Sequence, residues 1–201
     1  MYPDSLEALR FLLQKRGVMQ MTEFIPACFL IVVLFLATTT DILRQKIPNL
    51  LTFSAMGMAL FYFSFLKGVS GFIFSFEGIV VGIAVMLLPY MMGGMGAGDA
   101  KLMGAVGGLL GAKGVFVAFL LTALIGGIYA MIVLAVHGCL RETLRRYWLI
   151  LKTFFLVRKI IYIPVSEREK TPRLKYGVAI ALGTMISVLM KNNIYGMLNL
   201  N

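Results

Sequence analysis

Two acids stand where an apolar chain rarely keeps them. Asp99 lies in the run Gly93, Gly94, Met95, Gly96, Ala97, Gly98, Asp99, Ala100, Lys101, after a long stretch free of Lys and Arg and before a second apolar stretch. Asp41 closes an earlier apolar stretch and leads into Ile42, Leu43, Arg44, Gln45, Lys46, Ile47, Pro48 and Asn49. A carboxylate at the mouth of a membrane span is costly unless water or a partner compensates, so each acid is a functional-site hypothesis by default. Two carboxylates that share a site do not both ionise easily, which leaves one holding a proton and the other charged. Such a pair activates water. The charged member takes a proton from a water attacking a peptide carbonyl, while the protonated member hydrogen-bonds the carbonyl oxygen and later serves the leaving amine. Each acid also has a plainer reading: Asp99 as the cap of the next helix, and Asp41 as an interfacial acid paired with Arg44 or Lys46.

The surroundings of both acids are specific in type. Gly96 and Gly98 remove side-chain bulk beside Asp99 and let another chain approach the backbone there, which suits a substrate held extended. After Asp41 comes a helix end, a short basic turn, and a return helix opened by Pro48 and Asn49. Thr38, Thr39 and Thr40 are expected to bond their own i−4 carbonyls rather than Asp41. Lys101 marks the side of the membrane on which its loop lies, and it stands near enough in sequence to act on Asp99.

The elements that must carry these residues are membrane helices. Of 201 residues 60% are hydrophobic and 14% charged, with a mean hydropathy of +0.89, far from the roughly 25% charged residues of soluble domains. A bilayer core of about 30 Å needs ~20 helical residues. Apolar runs at 24–40, 50–66, 71–92 and 176–190 meet that need or nearly so, and residues 102–136 read as two spans broken near Gly111, Ala112, Lys113 and Gly114. The expected fold is an all-α integral membrane protein, a six-span helical bundle with an interfacial amphipathic cytoplasmic segment.

Charge distribution orients the bundle. The net +10 comes from 19 Lys plus Arg against 9 Asp plus Glu, and with no sizeable soluble domain it reads as loop charge touching anionic lipid, not as a nucleic-acid surface. Residues 137–175 hold Arg141, Arg145, Arg146, Lys152, Arg158, Lys159, Arg168, Lys170, Arg173 and Lys175, interleaved with Tyr147, Trp148, Phe154, Phe155 and Tyr162. That segment is expected to be cytoplasmic and interfacial. Asp41 and Asp99 are separated by two spans and so share a face, and six spans bring the basic segment to the same face. Arg10, Lys15 and Arg16 then fall on the opposite face, a mild departure from the rule.

Other features carry less chemistry. Cys28 and Cys139 form no CxxC pair, so neither a zinc site nor a disulfide framework is expected, and no metal or cofactor is called for. Glu77 reads as a snorkelling acid and His137 as an interface residue. The pairs Gly78 and Gly82, Gly104 and Gly108, and Gly107 and Gly111 stand four apart, a spacing that lets helices approach closely within the bundle. Lys15 and Arg16 before an apolar run resemble the start of a signal peptide, but a catalytic Asp41 at the end of that run argues for its retention.

Taken together, the Gly96, Ala97, Gly98, Asp99 box with Ala100, Lys101 and Leu102, and the upstream Asp41 with Ile47, Pro48 and Asn49, resemble the type IV prepilin peptidase family. The resemblance covers about residues 24–190. It implies a six-span inner-membrane aspartyl protease whose catalytic pair, Asp41 and Asp99, faces the cytoplasm and cuts the short basic leader from prepilin or pseudopilin substrates. Gly96, Gly98, Lys101, Pro48 and Asn49 would support the loops or the substrate. A Gly-X-Gly-Asp box alone is shared with presenilin and signal peptide peptidase families; the upstream turn and the short chain favour the prepilin peptidases. Tyr176, Gly177 and the residues after them resemble the family's last helix, with Lys175 where a proline is common. Bifunctional members carry two CxxC pairs and also N-methylate the product; their absence here resembles the compact, peptidase-only type of tight-adherence (Flp) pili, and archaeal preflagellin peptidases are compact too.

The expected organisation is an N-terminal amphipathic segment 1–23, a membrane domain 24–190 that includes the basic loop 137–175, and a tail 191–201. The rival reading is a small proton-coupled transporter or channel using the same two aspartates as a relay. Transporters place acids near mid-span or in repeated halves, whereas here both acids sit at one rim and no repeat is present.

Overall fold

The computed structural model describes residues 4–91, 95–136, 138, 145, 148 and 176–198, with side chains described within 24–91, 95–136 and 176–190. It is all helical over those residues: α1 (Asp4–Arg44), α2 (Asn49–Lys67), α3 (Val69–Met91), α4 (Ala97–Val136) and α5 (Tyr176–Leu198). Four segments are long and apolar enough to cross a membrane, namely Phe24–Arg44, Asn49–Lys67, Val69–Met91 and Ala97–Val136, and Tyr176–Met190 is a shorter apolar helix. The expected interfacial segment at 137–175 lies almost wholly outside the described residues, as do Gly93, Gly94, His137 and Cys139.

Helix boundaries follow local chemistry. α1 ends at Gln45, which adopts a positive φ of 50° and donates its N–H to the Asp41 carbonyl at 2.9 Å. Pro48, extended at φ −62°, ψ 133°, then caps α2. Gly68, at φ 59°, turns the chain between α2 and α3, and its carbonyl accepts the N–H groups of Gly71 and Phe72, both at 3.1 Å. Two helices extend beyond their apolar spans. α1 runs unbroken across residue 23, with Pro26 inside it, and α5 continues past residue 190 to Leu198.

The long apolar stretch breaks where its glycines foretell. Gly111 has φ 73° and ψ 174°, non-helical values inside α4, and this left-handed φ is one that side-chain-bearing residues rarely adopt. α4 is therefore two arms, residues 97–110 and 112–136. At 1.5 Å per residue the first is about 21 Å long, and the ring of Phe74 occupies the space where a Cβ at 111 would stand.

Glycine brings α3 and α4 together. A Cβ on Gly78 would meet the Gly107 carbonyl, a Cβ on Gly107 would meet the Gly78 carbonyl, and a Cβ on Gly82 would meet the Met103 carbonyl. Buried Ser75 adds a hydrogen bond from its Oγ to the Gly108 carbonyl at 2.9 Å. Gly104 and Gly108 receive the side chains of Ile83 and Ile79. The glycine pairs thus serve close packing inside the chain, as their spacing predicts. The first arm of α4 is the centre of the bundle: every residue from Leu102 to Leu109 is buried. Around it pack Leu30, Val33, Leu34 and Ala37 of α1, Ala55, Met56 and Ala59 of α2, Ile79 and Met86 of α3, and Ile180 of α5. Large apolar side chains such as Phe35, Leu50, Phe65, Leu88 and Leu124 point outward, while Thr52, Ser75, Thr122, Thr184 and Ser187 are inside. That inverted arrangement suits lipid, not water, as the surrounding solvent.

Candidate active site

Asp41 occupies the last turn of α1 and Asp99 the first turn of α4. Both are buried, 7% and 8% exposed, so neither is an ordinary solvated rim acid. Their elements meet at one end of the bundle. Ile47, in the turn that follows Asp41, lies against Gly98, where a Cβ would stand 3.2 Å from the Ile47 Cβ. Across the same seam the Lys101 Nζ donates to the Asn49 Oδ1 at 2.8 Å and sits 5.1 Å from the centre of the Phe53 ring, within reach of a cation–π attraction.

Each carboxyl is held by a main-chain amide. The Gly96 N–H donates to Asp99 Oδ2 at 2.9 Å, and the Asp99 N–H returns to the Gly96 carbonyl at 3.1 Å, so Asp99 does cap the start of its own helix. Asp41 is held from much further away. The Gly177 N–H, in the first turn of α5, donates to Asp41 Oδ2 at 2.9 Å across 136 positions of sequence. The expected alternative for Asp41, a pairing with Arg44 or Lys46, is thereby replaced by a backbone contact. Each hydrogen bond restricts the orientation of one carboxyl group.

Of the residues expected at the site, Asp41, Pro48, Asn49, Gly96, Gly98, Asp99 and Lys101 all lie in these two meeting segments. Gly98 is small because Ile47 covers it, and Lys101 engages Asn49. Thr39 bonds the Phe35 carbonyl at 2.8 Å and Thr40 the carbonyls of Leu36 and Ala37 at 3.0 and 2.9 Å, as expected of threonines in a membrane helix. The Thr38 Oγ1 is buried without a partner. Gly177 is the one participant to which its residue type gave no role.

A profile of the type IV leader peptidase family matches residues 28–131, just over half of the chain. The chain belongs to the type IV leader peptidase family. No curated protein and no solved structure is significantly similar to it. The matched stretch of this leader peptidase includes Asp41, the turn to Asn49, both central hairpin helices and the Gly96 to Lys101 segment, and it stops before α5. Membership makes the protein a peptidase of leader peptides in general terms, and its apolar helices make it a multi-pass membrane protein.

Proposed function

We propose that this leader peptidase is an aspartyl endopeptidase in which Asp41 and Asp99 are the catalytic pair, cutting the short basic leader from prepilin-like or pseudopilin substrates at the cytoplasmic face of the inner membrane. The observation that carries the reading is that two buried carboxyls, each hydrogen-bonded by a backbone N–H, stand on segments that meet at one end of the bundle. Counting the arms of α4 as separate passes gives six spans. The two intervening helices α2 and α3 return the chain to the face of Asp41 before Asp99, and two further passes return it there for the basic segment 137–175, which favours the cytoplasm.

In this mechanism a water between the carboxyls loses a proton to the ionised aspartate as its oxygen attacks the scissile carbonyl carbon. The protonated aspartate donates a hydrogen bond to the carbonyl oxygen, on which negative charge grows. Collapse of the tetrahedral species breaks the C–N bond, the amine leaves with a proton from the dyad, and the new carboxylic acid product departs. Burial excludes bulk water and strengthens each of these contacts. The substrate's apolar helix lies in the bilayer while its leader reaches the glycine-lined approach at Gly96. The chain carries no CxxC pair, in keeping with the compact, peptidase-only type without N-methyltransferase activity.

The test is cleavage of a purified prepilin-like substrate by the detergent-solubilised protein. Asp41→Asn and Asp99→Asn are each expected to lower kcat by at least about 100-fold with helix content unchanged. Wild-type rates in either variant would sink the proposal.

A further inference from the structure

Asp41 and Asp99 are oriented by unlike devices. Asp99 depends on Gly96 of its own turn, so its carboxyl is set as soon as α4 forms. Asp41 depends on the docking of α5, the last described helix, which the family profile does not reach. The first amides of a helix have no partner inside the helix, and at α5 one of them is spent on this carboxylate. The approach is so close that the residue at 177 matters by having no side chain: a Cβ there would lie 2.8 Å from Asp41 Oδ2, 3.0 Å from its Cβ and 3.1 Å from its Cγ. Nor is the start of α5 loosely placed. The Tyr176 ring packs on Gly126 of α4, where a Cβ would stand 3.4 Å from the ring, and the Ala179 methyl packs beside it at 3.5 Å.

We propose that Gly177 is a positioning residue for Asp41, through which the docking of α5 against α4 sets the geometry of the catalytic pair; this rests on the dyad reading above. Without α5 in place, Asp41 loses its amide partner, while Asp99 keeps its own.

Gly177→Ala separates this role from a structural one when kcat is referred to the folded fraction. Alanine ordinarily strengthens a helix, yet here its methyl displaces the very carboxyl that reacts. In the full chain, purified in detergent, Gly177→Ala is expected to lower kcat about 10- to 100-fold, the range of a misplacement of about 1 Å. KM should stay within about twofold, and the fall in kcat should exceed any loss of folded protein. Modification of Asp41 by a hydrophobic carbodiimide, read by mass spectrometry, should change in rate while that of Asp99 does not. Gly71→Ala is the comparison: its Cβ would meet the Phe63 carbonyl, a contact between α3 and α2 that does not involve α5, so it should lower the midpoint yet leave the kcat of the folded fraction intact. Wild-type kcat in Gly177→Ala, or activity lost only in step with the folded fraction, overturns the proposal. Cleavage surviving in Asp41→Asn overturns the dyad reading instead, and an unaltered Asp41 labelling rate in Gly177→Ala overturns the contact itself.

Discussion

Lys101 and Asn49 join the two halves of the site at the level of single atoms. The ammonium bridges from the α4 segment, which carries Asp99, to the first residue of α2, which follows the Asp41 turn. The bond is on the exposed side of the seam, so its strength is bounded by solvent. A double-mutant cycle on Lys101→Met and Asn49→Ala should return a coupling of about 0.5–1 kcal/mol in unfolding free energy. Independence of the two substitutions would show that the clasp contributes nothing. Asp41, Asp99, Pro48, Asn49 and Lys101 were legible in the sequence because acids, a proline and a lysine at the edges of apolar runs announce themselves by type. Gly177 was not. A glycine offers no chemistry to read, and its contact is with a residue 136 positions away, a distance that only the packing of α5 closes.

At the scale of helices, the glycines divide by what faces them. Gly78 and Gly107 put backbone against backbone, so Gly78→Ala drives a methyl into a carbonyl that a rigid helix holds in place. That substitution should destabilise the folded chain by about 1–3 kcal/mol, the usual range for overpacking, measured by unfolding in detergent. Gly57 has nothing within 4 Å of where its Cβ would be, and Gly57→Ala should leave the midpoint unchanged or raise it. Equal effects of the two would deny the close approach. The helices themselves were readable from apolar run length, and the break at Gly111 from the glycines around it. The continuity of α1 through Pro26 was not readable, because proline ordinarily interrupts a helix and the apolar run alone marked where a span would begin.

As a whole the molecule is built from the inside out for lipid, with glycine, serine and threonine along its seams and phenylalanine and leucine on its surface. The contacts of Gly78 with Gly107 and of Gly82 with Met103 set one antiparallel register between α3 and the first arm of α4. In that register Asp99 stands level with Met86, whereas α3 continues to Met91. At 1.5 Å per residue the acid lies about 8 Å short of the end of its neighbouring helix. The first arm of α4, at about 21 Å, is likewise shorter than a hydrocarbon core of about 30 Å. If Asp41 and Asp99 are the reacting pair proposed above, the reaction takes place below the level at which α3 ends, and a membrane around a short element thins to meet it at a cost that rises with mismatch. Hydrophobic thickness thereby becomes a control variable of the peptidase: in vesicles of unsaturated phosphatidylcholines of increasing chain length, kcat/KM should fall as the bilayer thickens, and a flat response would mean that the space beyond the short arm is filled by protein instead of lipid.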